Sequence, residues 1–302
     1  MFCFPASRAL SYTSLAAILM VAPLLPATAA PTRIVSLNPC IDGLLVELAP
    51  HEHIAAISHY SRDPWQSTIA DIAQTLPITY ETAEEVVALQ PDLVLAGQYS
   101  AVATRHALAR VGIRVELFDV PTSIAESHAQ VRRLAALVHQ EQRGETLIAR
   151  IDAALAAARR PQGTPTLTAA VYQAGGLTAG VGTITDELMR IVGLDNIPSR
   201  YGIYQHQPIA MEDLLRSPPD ILLVGDTTEG APTHAERIVN HRALRALHER
   251  MARMEYPARL LYCAGPTMLY ALDALVAARD RTLQVRQARL VRSSAHPRRA
   301  AP

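Results

Sequence analysis

"AEEVVALQPDLVLAG" occupies positions 83–97, and "AMEDLLRSPPDILLVG" occupies positions 210–225. In each stretch six residues separate a glutamate, Glu84 or Glu212, from a Pro-Asp pair, and a wholly apolar run ending in glycine follows. The two copies stand 128 residues apart, far more than a solenoid period and close to the size of one small domain. Each copy reads as a short helix with acidic residues at its start, a proline that ends it, and a strand rich in leucine, valine and isoleucine. Unbroken apolar strands belong to parallel sheets covered on both faces. The chain is therefore expected to build two related α/β lobes.

Working outward from the repeat, strand and helix alternate. "RIVSL" (33–37), "IAAIS" (54–58), "LVLAG" (93–97) and "RVELFDV" (114–120) read as strands of a first lobe. "LTAAVYQ" (167–173), "ILLVGD" (221–226) and "ARLLYC" (258–263) read as strands of a second. Between them Ser123 and Glu126 form a capping box that opens one helix, with Val131, Leu134 and Val138 on its apolar stripe. Gly144 is read as a brief interruption, after which a helix runs to about Arg160 with Leu147, Ile151, Leu155 and Ala158 on one face. A helix of about fifteen residues spans ~22 Å and is far stiffer than a glycine linker, so it would hold the lobes nearly fixed. The expected organisation is a first lobe over 30–141, a backbone helix over 142–160 and a second lobe over 161–282, with a ligand cleft between the lobes.

The two ends read differently. Arg8, the run "SLAAILMVAPLL" and the small residues Ala27, Thr28 and Ala29 have the order of a secretory signal, so residues 1–29 are expected to be removed on export. The apolar run falls short of a membrane span. All 28 basic residues are arginine, and 28 acidic residues balance them. That balance argues against a nucleic-acid partner. Arginines crowd the end of the chain, and residues 283–302 are expected to be a solvated, disordered tail.

Ligands of parallel α/β sheets bind at the loops after the carboxyl ends of the strands. In the first lobe this rule selects Asn38, Pro39 and Cys40, then His59, Tyr60, Arg62 and Trp65, then Tyr80, and finally Gln98 with Tyr99. In the second it selects Tyr172, Gln173, Tyr201, Tyr204, His206 and Cys263. Only 5% of the chain is aromatic, yet the one tryptophan and most tyrosines fall on these loops. Rings with a polar edge suit a bulky, flat, amphipathic ligand better than a sugar or an amino acid. Arg62 offers a bidentate partner for a carboxylate or phosphate.

Cys40 and Cys263 are the cysteines that remain once the segment holding Cys3 is removed. An oxidising compartment invites a disulfide, which would staple the lobes across the ligand site. Free thiols lining the cleft, or thiolate contact with a metal, are the other readings. A free-metal site needs three or four converging ligands, and His59, His206 and the cysteines are the candidates for it. Enzyme signatures are missing: "AGGLTAGVG" lacks the P-loop lysine and the dinucleotide spacing, and there is no G-x-S-x-G elbow. A free-metal-ion binding protein and an exported enzyme on the same two-lobed fold are the alternatives to a chelate-binding protein.

"RIVSLNPC", "AEEVVALQPDLVLAG", "VYQAGGLTAGVGTITDELMRIVGLDNI", "MEDLLRSPPDILLV" and "CAGP", in this order and spacing, resemble the periplasmic substrate-binding proteins of ABC importers for cobalamin, siderophores and haem. The resemblance covers nearly all of the chain after residue 29. It implies two lobes around a cleft of limited closure, joined by one helix, and a soluble periplasmic monomer with no catalytic role and no resident cofactor. Its cargo would be a metal chelate, a corrinoid first and a ferric siderophore or haem next. Its partners would be a permease dimer and its ATPase. In that family an acidic residue on the outer tip of each lobe meets arginines of the two permease copies, and by position Glu84 and Glu212 match. The cysteine in "SLNPC" departs from many relatives, so their ligand contacts are not transferred here.

Overall fold

The computed structural model describes residues 30–225, 237 and 239–295. The expected leader at 1–29 and the last residues, 296–302, lie outside it, as does Asp226 at the end of one expected strand.

The first lobe is a five-stranded sheet in the order β3-β2-β1-β4-β5, all parallel: β1 (Ile34–Ser36), β2 (Ile54–Ser58), β3 (Ile78–Thr79), β4 (Leu93–Gly97) and β5 (Val115–Phe118). The second has four parallel strands in the order β11-β10-β6-β8: β6 (Leu167–Tyr172), β8 (Leu194–Asn196), β10 (Ile221–Val224) and β11 (Ala252–Glu255). A small antiparallel pair, β7 (Leu177–Ala179) and β9 (His206–Pro208), lies beside it. The sheets are the same design written twice, because β2-β1-β4-β5 corresponds to β8-β6-β10-β11 and β3 is an added edge.

The repeated sentence has a structural meaning at both ends. Helices α3 (Ala83–Ala88) and α8 (Met211–Arg216) each lead into the strand beside the lobe's first strand. The aspartate of each Pro-Asp ties the starts of those two strands together. Asp92 Oδ2 accepts from the backbone N–H groups of Thr32 and Arg33 at 2.9 and 3.0 Å. Asp220 Oδ2 accepts from the Thr168 N–H at 2.8 Å, and the Asp220 N–H donates to the Thr168 hydroxyl. The Thr32 and Arg33 hydrogen bonds hold the Asp92 carboxyl below the usual aspartate range against burial; at Asp220 burial is the largest single effect, and Thr168 and Arg286 together outweigh it to bring that carboxyl below the range as well.

Alternating strand residues feed different cores. Ile34, Leu93 and Leu95 pack inward, while Val35, Val94 and Ala96 join an outer cluster with Leu108. The inward cluster is continuous from one sheet to the other, through α1 (Pro39–Leu48), α5 (Ile124–Leu137), α6 (Glu141–Ala158), α7 (Ile184–Val192) and the C-terminal helix α10 (Thr267–Ala295). Two lobes thus share one helical seam, and α6 is the long helix that carries the chain between them.

Arg279 of α10 is 4% exposed in this seam, where its Nη1 donates to the carbonyls of Ala158 and Val192, the last residues of α6 and α7. One guanidinium therefore satisfies terminal carbonyls of two helices. Arg279→Ala is expected to cost about 2–3 kcal/mol by leaving buried carbonyls without donors, read as a lowered Tm in thermal melts. An unchanged Tm would show that water replaces the guanidinium.

Several elements differ from the sequence reading. Gly144 does not interrupt a helix: the break falls at 138–140, where His139 has φ +53°, and Gly144 lies inside α6 where a Cβ would come 2.7 Å from the Ala135 Cβ. The missing side chain lets α6 pack closely against Val131 and Ala135 of α5 there. The second lobe's last strand is β11, at 252–255, whereas Ala258–Leu260 is a 3-10 turn after Pro257. Apolar run length misled there, because β11 is a half-exposed edge strand. The segment from 283 is helical as far as Ala295, where a disordered tail is expected from sequence. Helix-favouring Gln, Ala, Arg and Leu continue a helix already started by buried Met268, Leu272 and Leu275. Arg286, paired with Asp220, and Arg289, donating to the Glu249 carbonyl, fasten it to the lobe.

Candidate functional site

Because all five strands of the first sheet are parallel, their carboxyl ends share one edge, and the second sheet offers a matching edge. At the end of β2, His59 stacks on Tyr60 at 4.0 Å and on Tyr80, beyond β3, at 4.8 Å. Beyond β4, Tyr99 is 83% exposed. In the second lobe His206 stacks on Tyr262 at 5.0 Å, and Tyr204, which bridges to Val181, is 62% exposed. Tyr60, Tyr80, Tyr262 and Trp65 are also exposed. Exposed rings in such number at the sheet edges are the mark of a binding surface.

A crevice between the lobes is lined by Asn38, Cys40, Ile41, Leu44, Gly97, Gln98, Tyr99, Phe118, Asp119, Val120, Pro121 and Gln130 on one side, and by Tyr262, Ala264 and Gly265 on the other. Cys40 and Cys263 are joined in a disulfide with Cα atoms 5.1 Å apart. That settles the three readings of these cysteines: they are neither free thiols nor metal ligands. Asn38 caps α1, its Oδ1 accepting from the N–H groups of Cys40 and Ile41, and Pro39 takes the first helical position. Gly97 is required beside them, since a Cβ there would stand 2.8 Å from the Asn38 Nδ2.

Four candidates leave the site. Arg62 turns away from any ligand and donates to the carbonyls of Ala73 (3.0 Å) and Leu76 (2.7 Å), closing the loop before β3. Tyr172 is buried in the second lobe's outer core, and burial, with Glu212 nearby, raises its phenol above the ordinary range. Tyr201 packs on that same core, with its hydroxyl donating to the Asp213 carbonyl. Large apolar faces seat tyrosines in cores as readily as in clefts, and strand-end counting does not separate the two. Gln173 is likewise buried and donates to the Tyr256 carbonyl. Tyr262 was missed, since the residues around it were read as a strand; its neighbour Cys263 was the available signal.

At the sheet edges two imidazoles, one on each lobe, carry a buried nitrogen with no hydrogen-bond partner among the described residues, namely His59 Nδ1 and His206 Nε2; a third such nitrogen, His128 Nε2, lies on α5, 3.4 Å from Asp152. Burial lowers the pKa of His206, against a hydrogen bond to the Leu261 backbone, and so favours its neutral form. Among the described residues no group of three or more His, Cys, Asp or Glu could hold a metal ion.

Comparison with known proteins agrees with this geometry. A family profile described as periplasmic binding protein matches residues 34–249. The chain belongs to the periplasmic binding protein family. A search of curated proteins finds no match. Among solved structures, this binding protein is similar to the haem-binding RhuT of Roseiflexus sp. RS-1, with a TM-score of 0.66 and 23% identity over 83% of this chain and 98% of that one. It is similar to the haem-binding HutB of Vibrio cholerae, with a TM-score of 0.66, 19% identity, and 82% and 98% of the two chains covered. The vitamin B12-binding BtuF of Vibrio cholerae gives a TM-score of 0.62 and 16% identity, covering 84% and 98%. At these identities the likeness establishes the fold: two lobes with parallel sheets, joined by one long helix.

Proposed function

We propose that this protein is the periplasmic receptor of an ABC importer, which captures a metal tetrapyrrole between its lobes and presents it to a permease dimer. The observation that carries the reading is the set of exposed rings, Tyr60, Tyr80 and Tyr99 from one lobe and Tyr204 and Tyr262 from the other, at facing sheet edges. Rings in this arrangement cover a flat, partly apolar ligand from two sides.

A corrinoid is the leading ligand. The crevice lining carries Asn38, Gln98 and Gln130 and one acid, Asp119, but no arginine. Amide side chains can exchange hydrogen bonds with the neutral amide rim of a corrinoid, whereas a haem or a carboxylate siderophore brings anionic arms that ask for arginine. Haem is the second reading, favoured by the haem-binding proteins among its structural relatives. The visible absorption spectrum of protein purified from its own host separates the two, since corrinoid and haem bands differ. Titration with cyanocobalamin and with haemin then gives stoichiometry. One ligand bound per chain and returned unaltered is expected. Chemical turnover of either ligand would overturn a binding role in favour of an enzyme.

Docking is assigned to Glu84 and Glu212. Both are exposed in the first turn of their helices, and neither makes an ion pair or a side-chain hydrogen bond among the described residues. The acid that follows each of them is engaged within its own lobe. Glu85 accepts from the Thr79 hydroxyl at 3.0 Å and the Tyr80 N–H at 2.8 Å, and Asp213 pairs with Arg216 at 2.8 Å. The same free charge at the same place in each lobe fits a two-fold permease.

A further inference from the structure

The bond between Cys40 and Cys263 joins positions 223 residues apart in the chain. Cys40 lies in the first turn of α1, directly after β1 of the first lobe. Cys263 lies between β11 and α10 of the second. Neither end has slack. Asn38 caps the helix beneath Cys40, while Leu261 and Ala264, on either side of Cys263, are buried in the seam.

We propose that this disulfide is a positioning device that holds the lobes at one separation, so that ligand enters and leaves a preset crevice without lobe closure. The proposal rests on the reading that the crevice is the ligand site. Two lobes packed along one helical seam keep a hinge rotation about it. A covalent link at the crevice edge of that seam removes the opening component of the rotation. The crevice is lined by Cys40 and by no residue of α6, so α6 and the disulfide are two separate points of attachment. Weaker links lie along the same seam: the Gly265 N–H donates to Ser127 Oγ at 2.9 Å, and the Ile124 N–H donates to Glu187 Oε2 at 2.8 Å. Each such hydrogen bond is weak in water and opens thermally; the S–S bond does not. Tyr99 and Tyr262, on opposite walls, then stay at a constant distance, and the ordering cost of binding is lowered before ligand arrives.

The test measures the distance between lobes directly. Spin labels are attached through bio-orthogonal ketone side chains at Arg110 and Arg242, exposed residues of α4 (Val102–Arg110) and α9 (Arg242–Ala246). Double electron–electron resonance is recorded for the native protein and for Cys40→Ser/Cys263→Ser, each alone and with cyanocobalamin or haemin. The native protein is expected to give one narrow distribution that ligand leaves in place, and the variant a broad one that ligand narrows. Native distances that shift by more than ~2 Å on ligand addition, or a variant as narrow as native, would overturn the proposal. Loss of the disulfide lowers the Tm whatever its role, whereas the ligand response of the distance does not follow from stability. Should the double variant fail to fold, reducing the folded native protein with a phosphine gives the same comparison. If neither probe binds, the ligand-free distributions still decide this proposal, and the failure counts against the tetrapyrrole reading alone.

Discussion

Replacing Glu84 and Glu212 together by arginine is expected to abolish uptake while leaving the Kd for ligand unchanged. Each reversal exchanges an attraction for a repulsion at the permease, and a like-charge contact across an interface costs several kcal/mol. With tenfold in affinity per 1.4 kcal/mol, two reversals are expected to weaken docking at least ~100-fold. Folding loses little, because a first-turn carboxylate gains only ~0.3–1 kcal/mol from the helix dipole. The measurement is transport in cells beside equilibrium binding with purified protein. Either single reversal is expected to fall between native and double variant. Glu85→Arg is the control: it removes the hydrogen bonds to Thr79 and Tyr80, so it is expected to lower the Tm. Native rates of uptake in the double variant would remove Glu84 and Glu212 from the interface.

A second large effect is expected at Asp42, in the first turn of α1 and wholly buried. Burial pushes its carboxyl up to about 8, with Glu81 adding to the rise, while hydrogen bonds from Ser36, Ser61 and Ser58 oppose it. The folded state thus holds a proton that the unfolded chain releases near pH 4. A folded pKa above the unfolded value in an acid means that stability is fullest below the unfolded pKa and declines as pH rises toward the folded one. The decline is about 1.4 kcal/mol per pH unit, so up to ~4 kcal/mol has been lost by pH 7. Asp42→Asn cannot ionise, and its oxygen can still accept from the Ser58 N–H and the Ser61 hydroxyl, which lie at 3.0 and 2.6 Å from the native carboxylate. The variant is expected to match the native protein near pH 4 and to exceed it increasingly toward pH 8. Denaturant melts across that range check this, and a gap that stays constant with pH would show that Asp42 is not the titrating group.

The two-lobed architecture could be read from the sequence because a duplicated α/β unit repeats local rules that need no tertiary context. A proline ends each helix, and the apolar run that follows can only be a strand covered on both faces. Expected strands at 33–37, 54–58, 93–97 and 114–120 coincide with β1, β2, β4 and β5. Short elements with weak patterns were not legible: β3, two residues long, and the pair β7 and β9 owe their pairing to neighbours far off in the chain. The roles of Asp92 and Asp220 were equally hidden, since each acts on a strand 50 to 60 residues earlier.

Side-chain destinations divide in the same way. The sequence by itself determined which loops gather at the sheet edges, and so brought His59, Tyr60, Tyr80, Tyr99, Tyr204 and His206 into view, because strand direction in a parallel sheet fixes where every loop emerges. Only the tertiary structure decided that Tyr172 and Tyr201 fill a core, that Arg62 closes a loop, that Tyr262 borders the crevice and that Cys40 reaches Cys263. The last two depend on the lobes meeting along the helical seam, Cys40 and Cys263 being 223 residues apart. The others are settled inside one lobe, by which face of a loop the neighbouring elements cover, and a local pattern carries no information about either kind of surface.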